Sequence, residues 1–141
     1  MVEYKPEPTY RISFMFRKIL VPIDGSENSF RALEIALDFA KRYGSKVTVL
    51  YVDEGSTDTL LLAEKVKARA KETGITVDFK IKKYSPSISS VENEILQEIV
   101  EGGYDLVIVG ARGNTVNEEM LIGSKVLSIV VNAPVSIMIV R

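Results

Sequence analysis

The sequence predicts an α/β domain, a doubly wound sheet of five parallel strands with about four helices on its two faces. Three observations lead to this fold. Short apolar runs alternate with amphipathic stretches of helical length, the turns between them are brief, and most of the runs contain no polar alternation. Strand–helix alternation is typical of parallel strands joined by helices. Unbroken apolar runs are typical of strands buried on both faces.

The first strand–helix–strand unit begins at Lys18. The run KILVPI, residues 18–23, predicts a strand that ends at an Asp-Gly-Ser turn. Ser26 is suited to be the N-cap of the helix that follows, and Gly44 is suited to end it. The run KVTVLYV, residues 46–52, predicts the second strand.

The middle of the chain predicts a helix, an edge strand and a further helix. The amphipathic stretch TDTLLLAEKVKARAKETG ends at Gly74. Residues 76–84 then alternate apolar and polar side chains, which predicts a strand with one wet face at the edge of the sheet. In the next helix Ser89 and Glu92 have the spacing of a capping box.

The last part predicts a strand over residues 105–110, a helix SKVLSIVVN that begins after Gly123, and a final strand PVSIMIV. This final strand should form the other edge of the sheet. It carries no charge, and unpaired apolar edges promote association. We therefore expect a homodimer that pairs through the last strand, between Val135 and Val140, because two-fold dimers are the commonest closed assembly. The alternative is an edge covered by a helix or tail of the same chain.

Composition narrows the possible functions. The 141 residues contain neither Cys nor His, and the formal net charge is −1. Thiolate and imidazole metal sites, disulfides and His-dependent catalysis are excluded. No global charge draws the chain to nucleic acid or to a membrane surface. No run is long enough to span a bilayer and no signal peptide is evident, so we expect a cytoplasmic protein.

Residues 1–16 contain early prolines among polar residues and precede the first strand. They predict a flexible N-terminal extension. One domain is then expected over residues 17–141, a length that suffices for a core of its own.

Two loops are expected to face each other across a crevice, because ligands of doubly wound sheets bind beyond the strand ends where strand order reverses. The second loop has the spacing Gly-x2-Gly-x9-Gly-Ser, formed by Gly110, Gly113, Gly123 and Ser124. Gly110 would let a ligand approach the backbone, Gly113 would allow a positive φ, and the last pair would open a helix whose N–H groups bind anions. Asp24 in the first loop suits a ribose hydroxyl or Mg²⁺. Alternatively, the glycines only shape turns and Ser124 only caps a helix.

These residues resemble those of a known family. KILVPIDGSENS, GARGNTVNEEMLIGS and NAPVSIMIV are together similar to segments of the universal stress protein family, and the resemblance covers about residues 18–141. It implies an adenine nucleotide alpha hydrolase-like fold with strand order 3-2-1-4-5, a homodimer paired through the fifth strand, and bound ATP with Mg²⁺.

The resemblance also implies roles for individual residues. Asp24 would lie near the ribose or the metal, and Val52 would contact the adenine. The full set of implied ligand-binding residues consists of Pro22, Ile23, Asp24, Val52, Gly110, Arg112, Gly113, Gly123, Ser124 and Lys125.

Several residues of the second loop leave alternatives open. Lys125 stands where the family commonly has a small or apolar residue, and it would either help or obstruct the phosphates. Glu118 and Glu119 would either repel phosphate or hold a cation. Arg112 would either pair with a phosphate or remain solvated.

Two functions are consistent with the sequence. The first is an ATP-binding regulatory protein of the stress response, with at most slow hydrolysis, since no His, Walker lysine or water-activating base is evident. The second is a dimeric scaffold of the same fold that binds no nucleotide. The complete glycine spacing favours the first. The P-loop and dinucleotide-binding motifs are absent.

Overall fold

The computed structural model describes residues 16–53, 55, 58–113 and 122–141. Within them the chain alternates strands and helices in this order: β1 (Lys18–Ile23), α1 (Glu27–Tyr43), β2 (Lys46–Asp53), α2 (Thr59–Thr73), β3 (Asp78–Lys83), α3 (Val91–Gly102), β4 (Leu106–Gly110), α4 (Ser124–Asn132) and β5 (Ser136–Val140). The predicted extension, apart from Phe16, lies outside the described residues, and its flexibility and boundary stay predictions.

The five strands form one sheet in the order β3-β2-β1-β4-β5, and every neighbouring pair is parallel. This confirms the predicted fold. Strand β1 lies at the centre, where strand order reverses between β1 and β4. The carboxyl ends of these two strands therefore share one edge of the sheet, as a ligand site at the reversal point requires.

Alternate residues of the strands build two cores, one on each face. Helices α1 and α2 cover the face that contains Ile19 and Val49. Helices α3 and α4 cover the face that contains Leu20 and Val107. This arrangement follows from the period of two along a strand and from right-handed crossovers. It places the buried strands β1 and β4 beneath the loops of the candidate site.

Helix α1 begins and ends at the predicted residues. The Ser26 hydroxyl accepts a hydrogen bond from the Ser29 N–H at 3.2 Å, and Gly44 ends the helix in the left-handed conformation with φ 72°. Gly74 ends α2 in the same way, with φ 75°. These local signals were sufficient because caps depend on neighbours in sequence.

The predicted capping box at α3 is wrong by one residue. The N-cap is Ser90, whose hydroxyl accepts from the Asn93 N–H at 3.2 Å. Ser89 belongs instead to the preceding turn, because its N–H donates to the Ser85 carbonyl at 2.9 Å. Because the N-cap is Ser90, Glu92 lies at position N2 and not at N3. The capping box between Ser89 and Glu92 therefore cannot form.

Strand β3 is an edge strand, as predicted, and it carries a buried ion cluster beneath it. Glu98 of α3 is only 4% exposed. Its carboxylate accepts from the Tyr104 hydroxyl at 2.7 Å and from Lys80 Nζ at 3.0 Å, and Lys82 Nζ lies 3.5 Å away. We call these four residues the Glu98 cluster. It ties the edge strand to the helix packed under it.

The opposite edge of the sheet is β5, which in the described part of the chain has one hydrogen-bonded neighbour, β4. Residues 137–139 of this strand are half-buried. In the preceding helix α4, Leu127 is 49% exposed and Val131 is 72% exposed. Pairing of two chains through this strand stays a prediction. Among the described residues, no helix combines the length and apolarity that crossing a bilayer demands.

Candidate functional site

The candidate site lies beyond the carboxyl ends of β1 and β4. Strand β1 ends at Ile23, and Asp24 begins the loop that leads into α1. The Asp24 Oδ1 atom accepts a hydrogen bond from the Ser26 N–H at 2.9 Å. This bond makes a turn that holds the half-buried carboxylate at the start of the helix.

The two predicted loops do face each other. A Cβ atom built on Gly113 would overlap with Asp24 Oδ2, so the carboxylate lies directly against the second loop. The predicted positive φ of Gly113 is wrong, since its backbone lies outside the left-handed region. The glycine leaves room for the Asp24 carboxylate, whose Oδ2 atom would have to move if a Cβ atom were present.

Gly110 also differs from its predicted role. A Cβ atom at this position would lie 2.9 Å from the backbone carbon of Asn28 and 3.0 Å from its carbonyl oxygen. The space left by the absent side chain is therefore filled by the first turn of α1, not by a ligand. Glycine at the end of β4 lets this helix approach the strand closely.

The third glycine opens α4, as predicted. Gly123 is the N-cap and makes no side-chain capping bond, and Ser124 is the first residue of the helix. The predicted alternative of Ser124 as the cap is thus wrong, and its exposed hydroxyl stays available to a phosphate. The Gly123 N–H donates to the Ala111 carbonyl at 2.8 Å, so this N–H is already paired, and binding of an anion by the following turn stays a prediction. Lys125 lies in that turn and is exposed.

The residues implied for the adenine pocket lie on different faces of the sheet. Val52 is buried on the α3 and α4 face, and Pro22 shares that face because it stands two residues after Leu20. The Ile23 side chain is part of the core on the opposite face. Only the backbone of Ile23 is therefore placed to contribute to the same pocket as Val52.

Sequence reasoning missed Asn28, which connects the two loops. Its Oδ1 atom accepts a hydrogen bond from the Arg112 N–H at 3.0 Å, across 84 positions of sequence. Asn28 follows the helix cap without belonging to any spacing motif, so its role depends on a long-range contact. Its only signal was a polar side chain at the start of a helix next to the Asp-Gly-Ser turn.

Asp24 is the described residue that was predicted to contact a metal ion. Among the residues that the structure describes, no three acidic side chains gather into a group that could hold a metal ion. Binding of Mg²⁺ by Asp24 stays a prediction; with nucleotides, Mg²⁺ is usually held by one or two carboxylates together with the phosphates. Glu118 and Glu119, together with their predicted effects, lie outside the described residues.

A surface groove lies between α1 and α2 and extends to Gly25 of the first loop. Charged side chains of both signs line it, and they include Glu27, Arg31, Glu34, Lys65 and Arg69. Arg69 pairs with Glu34, and its guanidinium carbon lies 5.1 Å from the centre of the Phe30 ring. Because these charges offset one another, we assign no ligand to the groove.

Comparisons with known proteins agree with this architecture. A universal stress protein of Methanocaldococcus jannaschii is 29% identical over 146 residues, which cover 90% of this chain and 83% of the relative. A universal stress protein of Bacillus subtilis is also 29% identical, over 136 residues that cover 78% of this chain and 88% of the relative.

Solved structures show the same fold. One is a universal stress protein in complex with cAMP, with a TM-score of 0.73 and 22% identity over 90% of this chain and 98% of that one. Another is a universal stress protein of Archaeoglobus fulgidus in complex with dAMP, with a TM-score of 0.68 and 15% identity over 90% of this chain and 99% of that one.

A model of the universal stress protein family matches residues 15–141. This stretch includes every strand and helix described above and both loops of the crevice. The chain therefore belongs to the universal stress protein family.

Proposed function

We propose that the chain binds ATP, together with Mg²⁺, in the crevice between Asp24 and the start of α4, and that it acts as a nucleotide-dependent regulatory protein of the stress response. The observation that carries this proposal is the close approach of the Asp24 carboxylate to Gly113. It joins a group that suits ribose or Mg²⁺ to a backbone that suits phosphate. Relatives solved with cAMP and dAMP support an adenine nucleotide as the ligand class.

Each part of the ligand has a matching set of residues. Val52 and Pro22 supply an apolar wall for the adenine at the ends of β2 and β1. Asp24 accepts from a ribose hydroxyl or shares Mg²⁺ with the phosphates. The first turn of α4 supplies N–H groups, the Ser124 hydroxyl and the Lys125 charge to the phosphate chain.

We also propose that two chains pair through β5, between Val135 and Val140, because this edge is apolar and half-buried. Any hydrolysis of the bound ATP would be slow, since the chain contains no His and no P-loop lysine. The cytoplasmic location stays a prediction.

The proposal is tested by thermal unfolding of the purified protein during titration with ATP, with and without Mg²⁺. A ligand at about 100 times its Kd stabilises the native state by about 2.7 kcal/mol. For a chain of this size such a gain corresponds to a rise in melting temperature of roughly 8 °C. Gly113→Val should abolish the rise, because its side chain displaces Asp24 and fills the crevice.

Gly44→Ala is the matched control. This glycine lies at the far end of α1 with φ 72° and has no atom within 4 Å of a built Cβ. The variant should melt at a lower temperature, yet keep the full rise with ATP. A nucleotide-free wild-type sample that shows no rise at millimolar ATP would overturn the proposal and favour the dimeric scaffold without nucleotide.

A further inference from the structure

We infer that Asn28 is a positioning residue that holds the backbone at Arg112, at the start of the glycine loop, in its phosphate-binding position before a nucleotide arrives. This inference rests on the proposed nucleotide site and names a residue that controls it. Asn28 lies outside the glycine spacing, and it acts through the Arg112 backbone rather than by touching the ligand.

Hydrogen bonds hold the start of the glycine loop in place. Three hydrogen bonds hold the described residues between the end of β4 and the start of α4. The Ala111 N–H donates to the Val140 carbonyl at 2.7 Å, and the Ala111 carbonyl accepts from the Gly123 N–H at 2.8 Å. The third is the bond from the Arg112 N–H to Asn28 Oδ1 at 3.0 Å.

Of these three bonds, two join backbone atoms and form with almost any side chain. The bond to Asn28 alone among them depends on a side chain, so it is the one that substitution can remove. Without an acceptor at position 28, the half-buried Arg112 N–H would lose its protein partner. The loop would then be free to rotate this N–H toward water, which costs order at the residue just before Gly113.

Asn28 can reach the loop because residue 110 is a glycine. A Cβ atom at Gly110 would lie 3.0 Å from Asn28 Oδ1 and 2.9 Å from its backbone carbon. The absent side chain of Gly110 therefore makes room for both the helix turn and the Asn28 amide. In this chain the first glycine of the loop makes room for the positioning residue, and the start of the loop is tied to helix α1.

The Asn28 bond lies on the phosphate side of the proposed site, away from the adenine wall. The bond supports the segment that leads to Gly113, which faces Asp24, and to Gly123 at the opening of α4. It does not touch Val52 or Pro22, which form the proposed adenine wall. Loss of the bond should therefore weaken the hold on phosphates and leave the hold on adenosine intact.

The test measures the affinities of adenosine and of Mg²⁺-ATP by calorimetry, and the hydrogen exchange of the Arg112 amide by NMR. In Asn28→Ala we expect the ATP affinity to fall about three- to tenfold, the range that one ordinary hydrogen bond spans, with little change for adenosine. The Arg112 amide should exchange faster. Asn28→Asp keeps the acceptor atom and should restore slow exchange.

Asn132→Ala is the matched control. Asn132 is the last residue of α4, at the end away from the glycine loop, and its amide donates to the Ser128 carbonyl at 2.8 Å. It should change neither affinity. Unchanged Arg112 exchange in Asn28→Ala, or equal weakening of adenosine and ATP, would overturn the inference. If the wild type binds neither ligand, the proposed function fails, while faster Arg112 exchange in Asn28→Ala would still support the hold of Asn28 on the loop.

Discussion

Replacement of Glu98 by Gln should destabilise the fold, because it removes the negative charge of the Glu98 cluster while it keeps the shape of the side chain. Glu98 is 4% exposed and accepts from Tyr104 at 2.7 Å and Lys80 at 3.0 Å. Burial opposes ionisation of this carboxyl. The hydrogen bonds from Tyr104 and Lys80 and the charges of Lys80 and Lys82 outweigh it and lower the pKa of Glu98.

The size of the effect follows from how exposed the partners are. The side chains of Lys80 and Lys82 are 53% and 23% exposed, so each keeps access to water when its partner is lost. The full cost of breaking a buried pair, about 3–5 kcal/mol, therefore does not apply. A hydrogen bond to a charged group is worth roughly 1 kcal/mol more than a neutral one, and the two partly exposed ion pairs add about 0.5 kcal/mol each. We expect a loss of about 2 kcal/mol at pH 7.

The pH dependence of this loss identifies its cause. A carboxyl whose pKa is lowered in the folded state stabilises the protein at pH values above the unfolded pKa, near 4.3 for Glu. That stabilisation disappears as pH falls through the folded pKa. The difference in unfolding free energy between wild type and Glu98→Gln should therefore be full at pH 7 and shrink below about pH 4.

Urea denaturation at neutral and acid pH measures this difference, because the other carboxyls titrate alike in both proteins and cancel. Glu101→Gln is the control on the same helix: its partner Gln97 lies on the surface at 3.0 Å, so it should change stability by less than about 0.5 kcal/mol. A Glu98→Gln protein as stable as the wild type at pH 7, or equally weakened at every pH, would refute the reasoning.

Five further variants test other contacts. Gly110→Ala should lose about 2–3 kcal/mol in urea denaturation, because its Cβ would overlap the backbone of α1, whereas Gly123→Ala, where the nearest atom is 3.6 Å away, should lose less than about 1 kcal/mol. Ser90→Ala should cost about 1 kcal/mol through loss of the α3 cap, and Ser89→Ala should cost little; equal effects would contradict the revised cap. Met138→Lys should shift the chain from dimer to monomer in sedimentation while circular dichroism stays native. An unchanged dimer would place the interface elsewhere.

Local patterns predicted the fold well because their physical causes are local. The strands were predicted from unbroken apolar runs, and Ser26 and Gly44 from preferences that act within one helical turn. The cap of α3 was misplaced because a turn bond from Ser89 to Ser85 competes with capping, and sequence spacing alone does not show which wins. The pairing order was implied by the resemblance to the universal stress protein family and is confirmed by the sheet.

The facing of the two loops was predicted, but the reasons for their glycines were not. Asp24 and Gly113 do meet, yet Gly113 is glycine for space and Gly110 is glycine for the helix. Both reasons depend on residues far away in sequence, as does the bond to Asn28. Glu98 offered a better signal, since it stands three residues after Ile95 and so falls on the apolar face of its helix. An acid at such a position predicts a buried partner.

The two edges of strand β5 make different contacts. On its inner edge, the carbonyl of the last residue, Val140, already accepts a hydrogen bond from the Ala111 N–H in the glycine loop. Its outer edge is where a second subunit would pair. The second subunit and the glycine loop would thus contact opposite edges of the same strand. A substitution at Val140 would therefore be expected to affect both contacts.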